Sequence, residues 1–127
     1  MKPVILVVED NDRNRKLVRT ILEFRGFEVV ECDDGEPSLD LAKRHKPVVV
    51  LMDIELPKMD GIAALKRLQA DPETAPIPVI AVTASVTPSE RQRVAAAGFA
   101  GYIAKPIDVA SFAEQVEGIA GRAGANA

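Results

Sequence analysis

The chain has very few of the residues on which several kinds of site depend: one cysteine, one histidine, no tryptophan and 4% aromatic residues in 127 positions. A lone cysteine, Cys32, excludes an intramolecular disulfide and a thiolate metal cluster, and reads as a small residue closing a strand. His45 falls near a helix end, as a solvated or capping side chain and not as a metal ligand. No apolar run approaches the length of a membrane helix, and the run behind Met1-Lys2-Pro3 is too short for a secretory signal. Positive charge is not in excess, since the net charge is −3, so nothing in bulk attracts nucleic acid or an anionic membrane. Neither a P-loop nor G-x-G-x-x-G occurs, which removes the glycine-rich phosphate cradles. The expectation left by these absences is a cytoplasmic, soluble protein with no nucleic-acid or membrane partner. At 127 residues it has room for a single domain.

Present instead are short apolar runs alternating with stretches of helical period, the pattern of βαβ units and a parallel sheet, with five of each. The first helical stretch places Leu17, Val18, Ile21 and Leu22 on one face, turns Arg13, Arg15, Lys16 and Arg19 elsewhere, and stops at Gly26. A strand over 27–32 and a weaker helix over about 36–44 follow. Val48, Val49 and Val50 then form a run too apolar for a wet face, which predicts a central strand covered on both sides. Asp60 is the expected N-cap of a helix carrying Ile62, Leu65 and Leu68. Pro72, Pro76 and Pro78 punctuate the return to the fourth strand. Thr87-Pro88-Ser89-Glu90 can form a capping box opening a helix that Gly98 ends. The last helix starts near Asp108 and is predicted to bury Val109, Phe112, Val116 and Ile119. Residues 1–120 read as the domain and 121–127 as a flexible tail.

Four of the apolar runs lead into residues that can do chemistry. Residues 4–8 end at Glu9-Asp10, 48–52 at Asp53, 79–82 at Thr83 and 101–104 at Lys105-Pro106. As parallel strands they bring three carboxylates, a hydroxyl and an ammonium to one sheet edge, where open α/β folds place their sites. Three clustered carboxylates cost several kcal/mol in repulsion and desolvation unless compensated, and oxygen donors without His or Cys favour Mg²⁺. Asp53 could act as a nucleophile toward phosphorus, with Lys105 balancing the charge of the transferring group. Thr83 is then placed to bond a phosphoryl oxygen on Asp53, and so to sense it. Taken singly, Thr83 reads equally well as a strand-end cap and Lys105 as half of a structural ion pair. Four such residues at four strand ends make a constellation.

The stretch Leu51-Met52-Asp53-Ile54-Glu55-Leu56-Pro57-Lys58-Met59-Asp60-Gly61, with Val8-Glu9-Asp10-Asn11, Val82-Thr83-Ala84 and Lys105-Pro106, resembles the receiver domains of two-component response regulators. The resemblance covers nearly the whole chain. It implies a doubly wound five-stranded parallel sheet of order 2-1-3-4-5 with five helices, the flavodoxin-like or CheY-like (βα)5 fold. It implies that Asp53 accepts a phosphoryl group from a phosphohistidine, and that Asp10, Asp53 and the backbone carbonyl of Glu55 ligate Mg²⁺, with Glu9 acting through water. It further implies that Lys105 pairs with the phosphoryl group, that the bond before Pro106 is cis, and that Tyr102 turns inward as Thr83 moves. From the residues alone, Tyr102 reads as a half-buried tyrosine near the sheet edge. Glu9 stands where aspartate is more usual. Asn11 and Asn14 are similar to the variant found in hybrid-kinase receivers and in stand-alone cell-cycle regulators. Glu55 and Ser85 fall at positions that tune the lifetime of the phosphoryl group.

The expected protein is therefore a single-domain phosphorelay regulator, not an enzyme beyond catalysing its own phosphorylation and dephosphorylation. Its phosphodonor is a histidine kinase or histidine phosphotransferase, docking by resemblance near Asn14, Leu17 and Pro106. Output passes to a protein effector, a kinase or localisation factor, through the fourth helix, fifth strand and fifth helix, where Arg91 and Arg93 either meet an acidic partner or are simply solvated. The expected state is a monomer or a weak phosphorylation-dependent dimer. Two alternatives share parts of the pattern. A phosphatase of the haloacid dehalogenase type also uses aspartate, Mg²⁺, Thr and Lys, but places its nucleophile before the acidic pair. A flavodoxin-like small-ligand binder would want a phosphate cradle.

Overall fold

The computed structural model describes residues 2–56, 59–84 and 87–125, with side chains described through residue 121. The chain alternates strand and helix throughout: β1 (Val4–Val8), α1 (Asp12–Phe24), β2 (Glu28–Cys32), α2 (Ser38–His45), β3 (Val49–Asp53), α3 (Gly61–Ala70), β4 (Val79–Thr83), α4 (Pro88–Ala97), β5 (Gly101–Ala104) and α5 (Val109–Ala125). The sheet is five-stranded and parallel in the order β2-β1-β3-β4-β5.

Because successive strand side chains point to opposite faces, each apolar run feeds two cores at once. Ile5, Val7, Val49, Leu51, Ile80 and Val82 pack against Val18 and Leu22 of α1 and Phe112 and Val116 of α5. Their neighbours Leu6, Val8, Val50 and Met52 pack against Ala42 of α2 and Leu65 and Leu68 of α3. Every residue of β3 is buried, as the Val48-Val49-Val50 run predicted. A third, smaller cluster of Ile54, Ala81 and Val94 lies under α4, with Phe99 and Tyr102 against it.

The helix ends follow their capping chemistry. Asn11 caps α1 by accepting the Asn14 N–H, Asp60 caps α3 by accepting the Ala63 N–H, and Thr87 caps α4 by accepting the Glu90 N–H. Gly98 closes α4 at φ +105°, a conformation that side-chain-bearing residues adopt at a cost. Thr74, buried in the proline-punctuated segment, donates its hydroxyl to the Leu68 carbonyl at 2.6 Å and so closes α3. The second helix starts two residues later than its period suggested, at Ser38.

Two expectations are corrected. Leu17 shares a helix face with Val18, Ile21 and Leu22 yet is 39% exposed, because the α1 stripe that reaches the sheet is narrower than the apolar pattern. Val109, expected in the core, is 53% exposed: it opens α5 ahead of the turn that first meets the sheet, and Phe112, Val116 and Ile119 carry the packing. The backbone of α5 runs on through Ala125, into the expected 121–127 tail, and residues 126–127 lie outside the described residues.

Candidate functional site

β1 and β3 are adjacent, and the chain leaves them for opposite sides of the sheet, toward β2 and toward β4. This is the switch point at which open α/β sheets leave a crevice beyond their strand ends. The register sets Val8 beside Met52, Asp53 beside Val82 and Thr83 beside Ala104, so the polar residues emerge side by side. Gly61 brings the start of α3 close to this edge: its N–H reaches the Ile54 carbonyl at 3.0 Å, and a Cβ there would lie 2.6 Å from the Asp53 carbonyl oxygen.

Asp53 is 3% exposed and Glu9 4% exposed, both at the ends of central strands. Lys105 Nζ joins them, 2.8 Å from Glu9 Oε1 and 3.0 Å from Asp53 Oδ2. The remaining oxygens are also held: Asp53 Oδ1 accepts the Glu55 N–H at 2.9 Å and Glu9 Oε2 the Asn11 N–H at 3.2 Å. Lys105 is positioned by its own N–H, which donates to the Thr83 carbonyl at 2.9 Å, and the Lys105–Pro106 bond is cis. Asp10 is exposed at the mouth, and carboxylate oxygens of Glu9, Asp10 and Asp53 lie within 4.8 Å of one another.

The electrostatics of this cluster are those of an under-compensated anionic site. Burial, reinforced by the neighbouring Asp53 carboxylate, pushes Glu9 from 4.5 up to about 7, against the opposing pull of Lys105 and the Asn11 N–H. Burial also opposes ionisation of Asp53. It is outweighed by hydrogen bonds from Glu9, the Glu55 N–H and Lys105, so Asp53 lies below its ordinary value. Lys105 is raised, its burial being overcome by the two carboxylates. The two shifts run in opposite directions, favouring a neutral Glu9 beside an ionised Asp53 over two negative charges around a single ammonium. A hard divalent cation would supply the missing positive charge, and the donor set, all oxygen, suits Mg²⁺.

The structure brings Glu9, Asp10, Asp53, Glu55, Thr83 and Lys105 together. Thr83, 2% exposed, donates its hydroxyl to Glu55 Oε1 at 3.2 Å. Tyr102 is half-buried on β5, with the Arg91 guanidinium 5.5 Å from its ring centre and its carbonyl accepting from Gln115 Nε2. Asn14, Leu17 and Pro106 lie outside the crevice, Asn14 and Leu17 on α1 and Pro106 after Lys105, with Leu17 and Pro106 exposed. Ser85, and Pro57 and Lys58 of the long motif, lie outside the described residues.

Two contacts were not anticipated. Arg15 donates to the Glu9 carbonyl at 2.9 Å while pairing with Asp12 and, at 3.5 Å, with Glu31. It thereby ties the acidic turn to α1 and to the neighbouring strand. Its spacing from Asp12 marked the first pair, but only the fold brings Glu31 within reach. The Thr83–Glu55 hydrogen bond spans 28 positions and left no local signal.

Comparison with known proteins agrees with this arrangement. Residues 5–117 match the response regulator receiver domain family. The polar-differentiation response regulators DivK of Brucella anthropi and Brucella ovis are each 41% identical over 123 residues, spanning 97% of this chain and 100% of theirs. Among solved structures, the receiver domain of the Pseudomonas aeruginosa sensor histidine kinase PA1611, with a magnesium ion coordinated in its active-site cleft, superposes with a TM-score of 0.88 at 30% identity. That match covers 95% of this chain and 99% of that one. A response regulator structure from Chloroflexus aurantiacus gives 0.90 at 27% identity with the same coverage. With residues 5–117 matched by the family and relatives of 41% identity spanning 97% of the chain, the chain belongs to the response regulator receiver domain family.

Proposed function

We propose that this receiver is a phosphorelay regulator in which Asp53 takes a phosphoryl group from a phosphohistidine, in a Mg²⁺-dependent reaction, and passes the change to a protein effector. The observation that carries this reading is the Lys105 ammonium held at 2.8 and 3.0 Å between Glu9 and Asp53, three residues distant in sequence and convergent at one buried strand edge. Hydrogen bonds from the Glu55 N–H and Lys105 favour the ionised form of Asp53, the form that would attack phosphorus. The P–N bond of the donor breaks, and the imidazole leaves with its electron pair. Bound at Asp10, Asp53 and the Glu55 carbonyl, with Glu9 through water, Mg²⁺ would offset charge on the transferring group. Lys105, already 3.0 Å from Asp53 Oδ2, is placed to pair with the phosphoryl oxygens. Thr83 offers its hydroxyl from the adjacent strand end, and Tyr102 follows on β5.

Both steps are catalysed by the receiver itself, phosphorylation and later hydrolysis, with no separate substrate to turn over. The donor is a histidine kinase or histidine phosphotransferase seated over Asn14, Leu17 and Pro106, a patch supported by the exposure of Leu17 and Pro106 next to the crevice. The effector, a kinase or localisation factor, contacts α4, β5 and α5. Among the described residues no helix is long and apolar enough to cross a membrane. The protein acts in the cytoplasm as a monomer or a weak dimer formed on phosphorylation.

Incubation with Mg²⁺ and acetyl phosphate tests the reading directly. One phosphoryl group per chain is expected, acid-stable and hydroxylamine-labile, and missing in Asp53→Ala. Continuous phosphate release from unrelated esters without a stoichiometric adduct would refute it in favour of a phosphatase.

A further inference from the structure

Glu55 is tied to both halves of the switch. Its N–H is given to Asp53 Oδ1 at 2.9 Å, and its carboxylate takes the Thr83 hydroxyl proton at 3.2 Å. The two bonds differ in character, because the first belongs to the backbone and survives any side-chain change, whereas the second depends on the carboxylate alone. A threonine hydroxyl has one proton to donate. While that proton is given to Glu55 it is not available to a phosphoryl oxygen on Asp53. Thr83 is buried, whereas Glu55 is exposed at the crevice mouth. A new dianion on Asp53 therefore meets a like charge on Glu55 that is free to swing into water, and the contact breaks where it costs least.

We propose that the Glu55 carboxylate is a latch on Thr83: it holds the hydroxyl in the unmodified protein, sets how much of the active-like state is populated without phosphate, and is displaced when Asp53 is phosphorylated. Glu55 is on this view a positioning residue, acting through Thr83. The proposal rests on the reading of Thr83 as the residue that senses the phosphoryl group. A two-state switch shifts only by the difference in interactions between its states, so a bond made solely in the resting state raises the threshold for leaving it. A charge-assisted bond partly open to water corresponds to roughly a three- to tenfold change in that equilibrium.

The experiment uses the full chain in two conditions. Without phosphodonor, three-bond couplings to the Thr83 methyl report its χ1 rotamer. One rotamer should dominate in the parent, lose population in Glu55→Ala, and be largely restored in Glu55→Gln, which keeps an oxygen acceptor without the charge. With Mg²⁺ and acetyl phosphate, the parent's amide shifts at Thr83, Ala84 and Tyr102 define a line between resting and phosphorylated protein. The unmodified Glu55→Ala protein should lie along that line, with the active-like fraction raised about three- to tenfold, and adding Thr83→Ala should abolish the displacement. Thr83 couplings unchanged in Glu55→Ala, or no displacement along the line, would overturn the latch. If the parent takes up no phosphoryl group, the proposed function fails on its own, and the rotamer measurement still decides whether Glu55 holds Thr83.

Discussion

Among the site residues, Glu9 makes the clearest commitment about solution behaviour. Its carboxyl is raised from 4.5 to about 7 by burial and by Asp53, so the folded protein holds that proton more tightly than the unfolded chain does. The contribution to stability is therefore complete below about pH 4.5 and is lost as pH climbs through about 7. In metal-free protein, thermal melting followed by circular dichroism should show the midpoint falling over that interval, and Glu9→Gln, which imitates the protonated form, should flatten the fall. Cation binding must expel the same proton. Mg²⁺ affinity should accordingly rise about tenfold per pH unit below 7 and level off above it, with proton uptake or release read by calorimetry in two buffers. A Mg²⁺ affinity independent of pH from 5 to 8 would contradict the raised Glu9. Glu9, Asp10, Asp53, Thr83 and Lys105 could be picked out in the sequence from their places at strand ends. The raised pKa of Glu9 could not, because a pKa is set by distances and burial that only packing creates.

At the scale of elements, the helices are unequally anchored. α3 buries Gly61, Ala64, Leu65 and Leu68, and α1 buries Val18, Ile21 and Leu22, whereas α4 buries Val94 alone. α4 is held at its ends by the Thr87 cap and the left-handed Gly98 and laterally by the Gln69 side chain, 3.5 Å from the Ala97 carbonyl. Local opening free energy follows the apolar contacts that must be broken. Native-state hydrogen exchange should therefore show the α4 amides opening about 2 to 4 kcal/mol more easily than those of α1 and α3. Equal protection across all three would mean that α4 has an anchor other than Val94. α4 also carries Arg91, whose guanidinium sits over Tyr102, so the lightly held helix touches the aromatic that the switch is proposed to move. Element type and order were readable in advance because each followed from period, caps and breakers. What the period misjudged was which positions at the edge of an apolar stripe reach the core. Leu17 and Val109 show this, since helix orientation on the sheet decides it and no local pattern encodes that angle.

For the whole molecule, the proposed switch uses the sheet as the frame that would convert a charge change at one edge into a change on one face. Asp53 lies beside Val82, Thr83 follows Val82, and Tyr102 lies beside Ala81 in the next strand, so the route from acceptor to output face crosses two adjacent strands. If Thr83 is the link, Thr83→Ala should keep the acetyl phosphate labelling of Asp53 and lose at least about 80% of the phosphorylation-dependent amide shift at Tyr102, a loss equivalent to removing a hydrogen bond of about 1 kcal/mol or more. Identical shifts in mutant and parent would place the link elsewhere. The sequence alone determined the order of strands and helices, their cores, and the identity of the residues at the four strand ends, because hydrophobic period, capping and breaker residues are local properties written along the chain. Tertiary structure decided the rest. The lysine joins the two buried carboxylates, Glu9 is raised beside Asp53, Arg15 braces the acidic turn, and Glu55 accepts from Thr83. Each of these depends on distances across parallel strands that lie far apart in sequence, and electrostatic and hydrogen-bond energies depend on those distances and on burial, not on separation along the chain.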